Sequence, residues 1–197
     1  NKIKKLVYSS SASVYGDAVE VPMTEQHPFM NQNFYGATKI AGEAMCRAYF
    51  DRYGLDYVGL RYMNVYGPHQ LEEGEYATVI AKWDKAHREK KPLTIYGDGS
   101  KERDFTHVDD IVNGLIKIWQ KEAYGNIFEL GRGIKFSLKA VAELYSPSFG
   151  INYQENKKGE AQSTLCSSKL AREILEWKPK LNLEDWIKRK KINSKLL

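Results

Sequence analysis

The sequence predicts an α/β fold built on a parallel sheet, and three observations lead there. An apolar run from Ile3 to Tyr8 reads as a buried strand. From about Thr38 to Tyr53, Ala41, Ala44, Met45, Ala48 and Tyr49 recur at helical spacing, and Gly54 stops the helix. A second apolar run, Tyr57 to Arg61, follows within a few residues. Strand, helix and strand joined by such short links form a βαβ unit, which makes the two strands parallel.

The remaining elements follow in order. Pro22 and Pro28 punctuate the loop after the first strand. Ala77 to Lys91 has the pattern of a helix with a charged outer face, and Leu93 to Tyr96 that of a short strand broken at Gly97-Asp98-Gly99. Val108, Ile111, Val112, Leu115, Ile116 and Trp119 make the clearest apolar stripe, on a helix starting near Thr106. Asn126 to Leu130 is another strand and Phe136 to Tyr145 a helix. Two short helices, Leu170 to Trp177 and Leu183 to Ile187, flank Pro179. Residues 1–67 and 105–150 are expected to form the sheet unit, and 68–104 with 151–197 a smaller mixed α/β lobe that binds substrate.

Composition narrows the function classes. Of the 197 residues, 42% are hydrophobic and 28% charged, which is ordinary for a globular protein. The net charge of +5 is modest, and Lys188 to Lys191 reads as a solvated helix end, so no nucleic-acid partner is expected. Cys46 and Cys166 stand far apart and the four histidines are scattered, proposing no metal site. No apolar run reaches the length of a membrane span and none reads as a signal peptide. The expectation is a cytoplasmic protein with reduced thiols and no membrane partner.

The chemistry concentrates between Ser9 and Lys39. Ser9-Ser10-Ser11 ends the first strand, where open α/β sheets place their ligands. Tyr35-Gly36-Ala37-Thr38-Lys39 opens the next helix, and i, i+4 spacing sets the Tyr35 phenol beside the Lys39 ammonium. A hydroxyl cluster facing a Tyr–Lys pair is a proton-transfer constellation. Tyr153 to Lys157 repeats the Tyr-x-x-x-Lys spacing without that context. No G-x-G-x-x-G, the usual opening of a dinucleotide-binding sheet, occurs, and Gly131-Arg132-Gly133 reads as a tight turn. The chain opens on a strand that belongs in a sheet's interior, so it is expected to be the C-terminal part of something longer.

These stretches, with Leu60–Pro68, Tyr96–Asp110, Phe128–Gly133 and Leu175–Pro179, resemble the extended short-chain dehydrogenase/reductase superfamily, in particular its nucleotide-sugar epimerases and dehydratases of the UDP-glucose 4-epimerase type. The resemblance implies the C-terminal part of a Rossmann-like sheet, NAD as cofactor and a nucleotide sugar, most simply a UDP-sugar, as substrate. It also implies roles. Tyr35 matches the catalytic base. A free phenol titrates near pH 10, so a base acting at neutral pH needs positive charge beside it, which Lys39 supplies while also contacting the nicotinamide ribose. Ser11 matches the serine that holds the reacting hydroxyl. Ser9 and Tyr62 fall on the cofactor side, and Asn64 matches a substrate-contacting asparagine. Arg103 matches the diphosphate arginine, whose planar guanidinium can bind in bidentate fashion. Where relatives carry Arg-x-Gly-Asp, this chain has Lys157-Lys158-Gly159-Glu160, which puts Lys157 in the place of a second diphosphate arginine.

Ala12 and Ser13 occupy the positions where 4,6-dehydratases of the family need an Asp–Glu pair, and neither is a carboxylate. That leaves 4-epimerisation, which needs no further acid or base. Three readings stay open: a UDP-hexose 4-epimerase, another NAD-dependent member of the family, and a catalytically incompetent nucleotide-sugar-binding or scaffold fragment. Relatives often dimerise through a bundle that includes the Tyr–Lys helix, so a homodimer is a further expectation.

Overall fold

A computed structural model of the chain describes residues 3–145 and 147–194. The ends of the expected domain ranges, 1–2 and 195–197, lie outside the described residues. In chain order the elements are β1 (Leu6–Ser11), a 3-10 turn (Ala12–Val14), α1 (Phe34–Tyr53), β2 (Tyr57–Tyr62), β3 (Asn64–Tyr66), α2 (Val79–Arg88) and β4 (Leu93–Tyr96). There follow β5 (Glu102–His107), α3 (Val108–Gln120), β6 (Asn126–Leu130), β7 (Lys135–Ser137), α4 (Leu138–Tyr145), β8 (Ile151–Gln154), α5 (Lys169–Leu175) and α6 (Leu183–Ser194).

β1, β2 and β6 form a parallel sheet in that order, with Leu6 opposite Tyr57 and Val58 opposite Asn126. β1–α1–β2 is thus the expected βαβ unit. The first strand runs three residues later than its apolar run suggests. Ile3 is exposed, and Lys5 reaches away to donate to the carbonyls of Ile118 and Lys121 at the end of α3. The three serines therefore lie inside β1, opposite Leu60, Arg61 and Tyr62. α1 begins at Phe34, one residue before the Tyr35 that was read as opening it, because Asn33 is extended and its side chain accepts the N–H of Gly36. Gly54 ends it in the left-handed conformation.

Alternation along the sheet gives it two unlike faces. Val7, Val58, Leu60, Phe128 and Leu130 point to one side, where Ile111, Ile118, Ala171, Leu175 and Trp177 from α3, α5 and the segment after α5 cover them. On the other side lie Tyr8, Ser10, Arg61 and Glu129, under α1. The apolar residues that mark α1 in sequence (Ala41, Ala44, Met45, Ala48, Tyr49) are exposed; the helix buries Gly36, Gly42, Glu43 and Cys46 instead. A Cβ at Gly42 would fall 2.0 Å from the Tyr8 hydroxyl oxygen, so any larger residue there would have to displace the Tyr8 ring.

A second core joins Tyr66, Ile80, Trp83, Leu93, Ile95, Phe105, Leu138, Val141, Tyr145, Leu183 and Ile187. Packing here departs from the expected domain limits. α4 joins this lobe, while α5 and Trp177 pack on the sheet, because a helix goes where its apolar stripe is covered and not where chain order would put it. Within the lobe, β3, β5 and β7 form one small sheet and β4 with β8 another.

Candidate active site

Two glycines explain how the serine turn and the start of α1 meet. Gly36 lies so close to the turn that a Cβ would sit 2.5 Å from the Ser13 carbonyl oxygen. Gly16 has φ +58 and a Cβ there would fall 1.9 Å from the Met30 carbonyl oxygen. The turn itself is capped by Ser11, whose Oγ accepts the N–H of Ser13 at 3.1 Å. The two halves of the constellation, separate in sequence, are thus held backbone against backbone.

Beside this junction lies a cleft of about 330 Å³. Ser11, Tyr62, Asn64 and Arg103 line it, together with Ala12, Ser13, Tyr96, Glu160 and Thr164. Ser9, Tyr35 and Lys39 are not part of the lining but are joined to it. The Ser9 and Tyr62 hydroxyls share a hydrogen bond at 3.1 Å, and Lys39 Nζ donates to the Ser9 carbonyl at 2.8 Å. The same ammonium stands 5.4 Å from the centre of the Tyr35 ring, which is half-exposed. Burial pushes the Tyr62 phenol up, and its bond to Ser9 partly offsets this. Tyr153, in the second Tyr-x-x-x-Lys match, lies on β8, far from helical geometry.

Arg103 comes from β5, a strand that polarity hid. Its Nη1 donates to the carbonyls of Glu102 at 2.8 Å and Gln162 at 3.5 Å, and its Nη2 lies 4.0 Å from Glu160 Oε2. Burial pulls this guanidinium below its ordinary range, and the charges of Glu160 and Asp17 counter the effect. Lys101, also buried, donates to Glu160 at 2.8 Å. Lys157 stands one recess away, its ammonium 4.0 Å from the Tyr96 ring centre, in a hollow that shares Thr94, Tyr96 and Glu160 with the cleft.

Asp104, next to Arg103, is fully buried and explains the turn at Gly131-Arg132-Gly133. Its carboxylate accepts the N–H groups of Arg132 and Gly133, each at 2.9 Å, and that of Cys166 at 3.4 Å. Burial raises its carboxyl despite these donors. Thr164 is a cleft residue that the sequence did not announce: its hydroxyl donates to Asn64 Oδ1 at 3.2 Å. Those two residues are a hundred positions apart, and only the tertiary fold links them. Among the described residues no group of histidines, cysteines and carboxylates could hold a metal ion, and no helix is long and apolar enough to cross a membrane.

Residues 1–131 match the model of the NAD dependent epimerase/dehydratase family. The chain belongs to that family. Among curated relatives of the epimerase family, a putative UDP-glucose 4-epimerase from Methanocaldococcus jannaschii is 34% identical over 194 residues, covering 95% of this chain and 62% of the relative. The solved UDP-glucose 4-epimerase of Thermotoga maritima with UDP-glucose superposes with a TM-score of 0.90 at 29% identity, over 99% of this chain and 65% of that one. The UDP-glucuronic acid 4-epimerase of Bacillus cereus, in complex with UDP-glucuronic acid and NAD, superposes with a TM-score of 0.89 at 28% identity, over 100% of this chain and 63% of that one. The chain therefore spans about 60% of the length of the curated relatives it matches.

Proposed function

We propose that the chain carries the proton-transfer and sugar-nucleotide part of an NAD-dependent nucleotide-sugar epimerase, of the UDP-hexose 4-epimerase type. What supports this most is the junction of Gly36 with Ser13, which fixes Tyr35 and Lys39 beside the turn that bears Ser11. In this reading Tyr35 Oη takes the proton from the sugar's 4-hydroxyl and later returns one, while Ser11 holds that oxygen in line. Lys39 places its charge 5.4 Å from the centre of the Tyr35 ring.

The groups at the carboxyl ends of β1 and β2 fit the nicotinamide-ribose end of NAD. They are the Lys39 ammonium, the bonded pair Ser9 and Tyr62, and the half-exposed Tyr35. Bound there, NAD would supply an acceptor for hydride from the sugar's C4 and, once reduced, the donor for its return. Turnover of the 4-keto sugar between these steps needs room, not another acid or base. Ala12 and Ser13 line the cleft, and neither can expel water or support loss of a carboxylate. Arg103 is assigned to the diphosphate and Asn64, steadied by Thr164, to the sugar side. Lys157 on Tyr96 extends the positive charge toward the nucleotide. The exposed residues Met45, Tyr49 and Tyr53 on α1 offer a second copy of the protein an apolar helix face.

The test is conversion of UDP-galactose to UDP-glucose by the protein that carries this chain, with UDP-N-acetylglucosamine and UDP-glucuronate run in parallel. Tyr35→Phe should keep its melting temperature and lose turnover by about 10²-fold or more. Full activity in that variant rejects Tyr35 as the base. Absence of conversion of all three sugars by a protein with NAD bound rejects the UDP-hexose type and moves the reading to another nucleotide sugar of the family.

A further inference from the structure

The α1 face of the sheet holds a chain of buried polar groups that the chemistry above does not use. Arg61, near the end of β2, donates from Nε to Glu43 Oε1 at 2.9 Å and from Nη2 to Glu43 Oε2 at 2.7 Å. Glu43 lies one helical turn beyond Lys39 on α1. Ser10 Oγ also donates to Glu43 Oε1, at 2.5 Å. The third arm of the guanidinium, Nη1, donates to the Tyr15 hydroxyl at 3.0 Å and to the Glu25 carbonyl at 3.0 Å. The Tyr15 hydroxyl in turn donates to Glu129 Oε1, on β6, at 2.6 Å.

One planar cation is thus bonded to α1, to the residue following the 3-10 turn and to the loop between them, while Glu43 takes up the strand just before Ser11. Ser10, Glu43, Arg61 and Glu129 are all nearly inaccessible, and Tyr15 is fully so. Burying such charges does little for stability in itself, since apolar residues of similar volume often serve as well or better. Fixed geometry is what a forked guanidinium adds.

We propose that Arg61, locked to Glu43 and Tyr15, is a positioning residue that holds the Ser11 turn in register with Tyr35 and Lys39. It touches neither substrate nor cofactor; it sets the distance between the serine hydroxyl and the phenol. The proposal rests on the reading of Ser11, Tyr35 and Lys39 as the reacting groups. Its sensitivity is expected to be high, because a misplacement of about 1 Å at reacting atoms can cost on the order of 10²-fold in rate.

The deciding experiment compares the wild-type protein with the double variant E43L/R61M, in which an apolar pair replaces the ion pair. The melting temperature is expected to stay near or above the wild-type value. kcat is expected to fall by about 10²-fold with KM within a factor of about three, the pattern of an interaction felt in the transition state alone. A double variant with wild-type kcat overturns the proposal. So does one in which lost activity only follows a lowered folded fraction. Tyr15→Phe is the second probe, for it keeps the ring and removes one hydroxyl. A fall in kcat of about tenfold at constant melting temperature supports the link, and unchanged kcat breaks it. A Tyr35→Phe variant with wild-type turnover overturns the assignment of the reacting groups, and this proposal falls with it.

Discussion

The two faces of the β1–β2–β6 sheet are made by the same three strands and are chemically opposite. Toward α3 and α5 the strands present Val7, Val58, Leu60, Phe128 and Leu130, closed over by Trp177. Toward α1 they present Ser10, Arg61 and Glu129, joined through Glu43 and Tyr15 by directional bonds. The first face contributes the free energy of burial, which is large but indifferent to small shifts. The second contributes little net energy and tolerates few geometries. The difference teaches that the side chains able to do chemistry stand at the edge of the sheet, where a stable platform meets an exact one.

The largest expected effect tests the apolar face. Trp177→Ala removes a fully buried indole, which also donates to the Asp110 carbonyl at 2.8 Å. A loss of about 3–5 kcal/mol is expected in urea denaturation, and a loss below about 1 kcal/mol would dissolve the contrast between the faces.

The next effect tests the polar face through pH. Burial pushes the Glu129 carboxyl up to about 8, against the pull of the hydrogen bond from Tyr15. Among the described residues its Oε2 has no hydrogen-bond partner that meets the geometry of one. In the unfolded chain the group returns to about 4.3. Between these values the folded state holds a proton that the unfolded state has released. Its contribution to stability is therefore present at low pH and falls as pH rises through about 8. Glu129→Gln should flatten this fall, by on the order of a few kcal/mol between about pH 5 and pH 8. Parallel stability–pH curves for wild type and variant would show that Glu129 ionises freely in the fold.

The smallest effect belongs to neither face. Asn33→Ala removes the cap at the start of α1 and is expected to cost about 1 kcal/mol. A hydrogen-exchange measurement should place the loss at the first turn of α1. Loosening spread through the sheet would mean that the cap supports more than its own helix.

The sequence showed the fold wherever burial is one-sided and hydrocarbon. Tyr57–Tyr62, Leu93–Tyr96 and Asn126–Leu130 fall within one residue of where their apolar runs place them. It concealed β5, since Glu-Arg-Asp-Phe-Thr-His reads as a loop until each polar group is given its partner. Asp104 needs the turn after β6, and Asp109 N needs His107 Nδ1, 3.1 Å away. β8 was hidden for another reason: it is mostly exposed and paired with β4 alone. On α1 the apolar spacing pointed to the wrong side, because Gly42 and Glu43 are what the sheet accepts. Ser11, Tyr62, Asn64 and Arg103 were identified by their motifs and line one cleft. Thr164 was not, having no local pattern, and neither was the partnership of Glu43 with Arg61.

The lining of the cleft has one further consequence. Residues 162–168 run between Met23 and Glu102, with Met23 N donating to the Leu165 carbonyl, Ser167 N to Met23, and Thr164 N to Glu102. Growing on a ribosome, the chain has all three strands of the β1–β2–β6 sheet once Leu130 has emerged, but Thr164 follows only 34 residues later. These three strands thus exist before the far wall of the cleft does, and a stop shortly before residue 162 would leave the sheet beside an unfinished cleft.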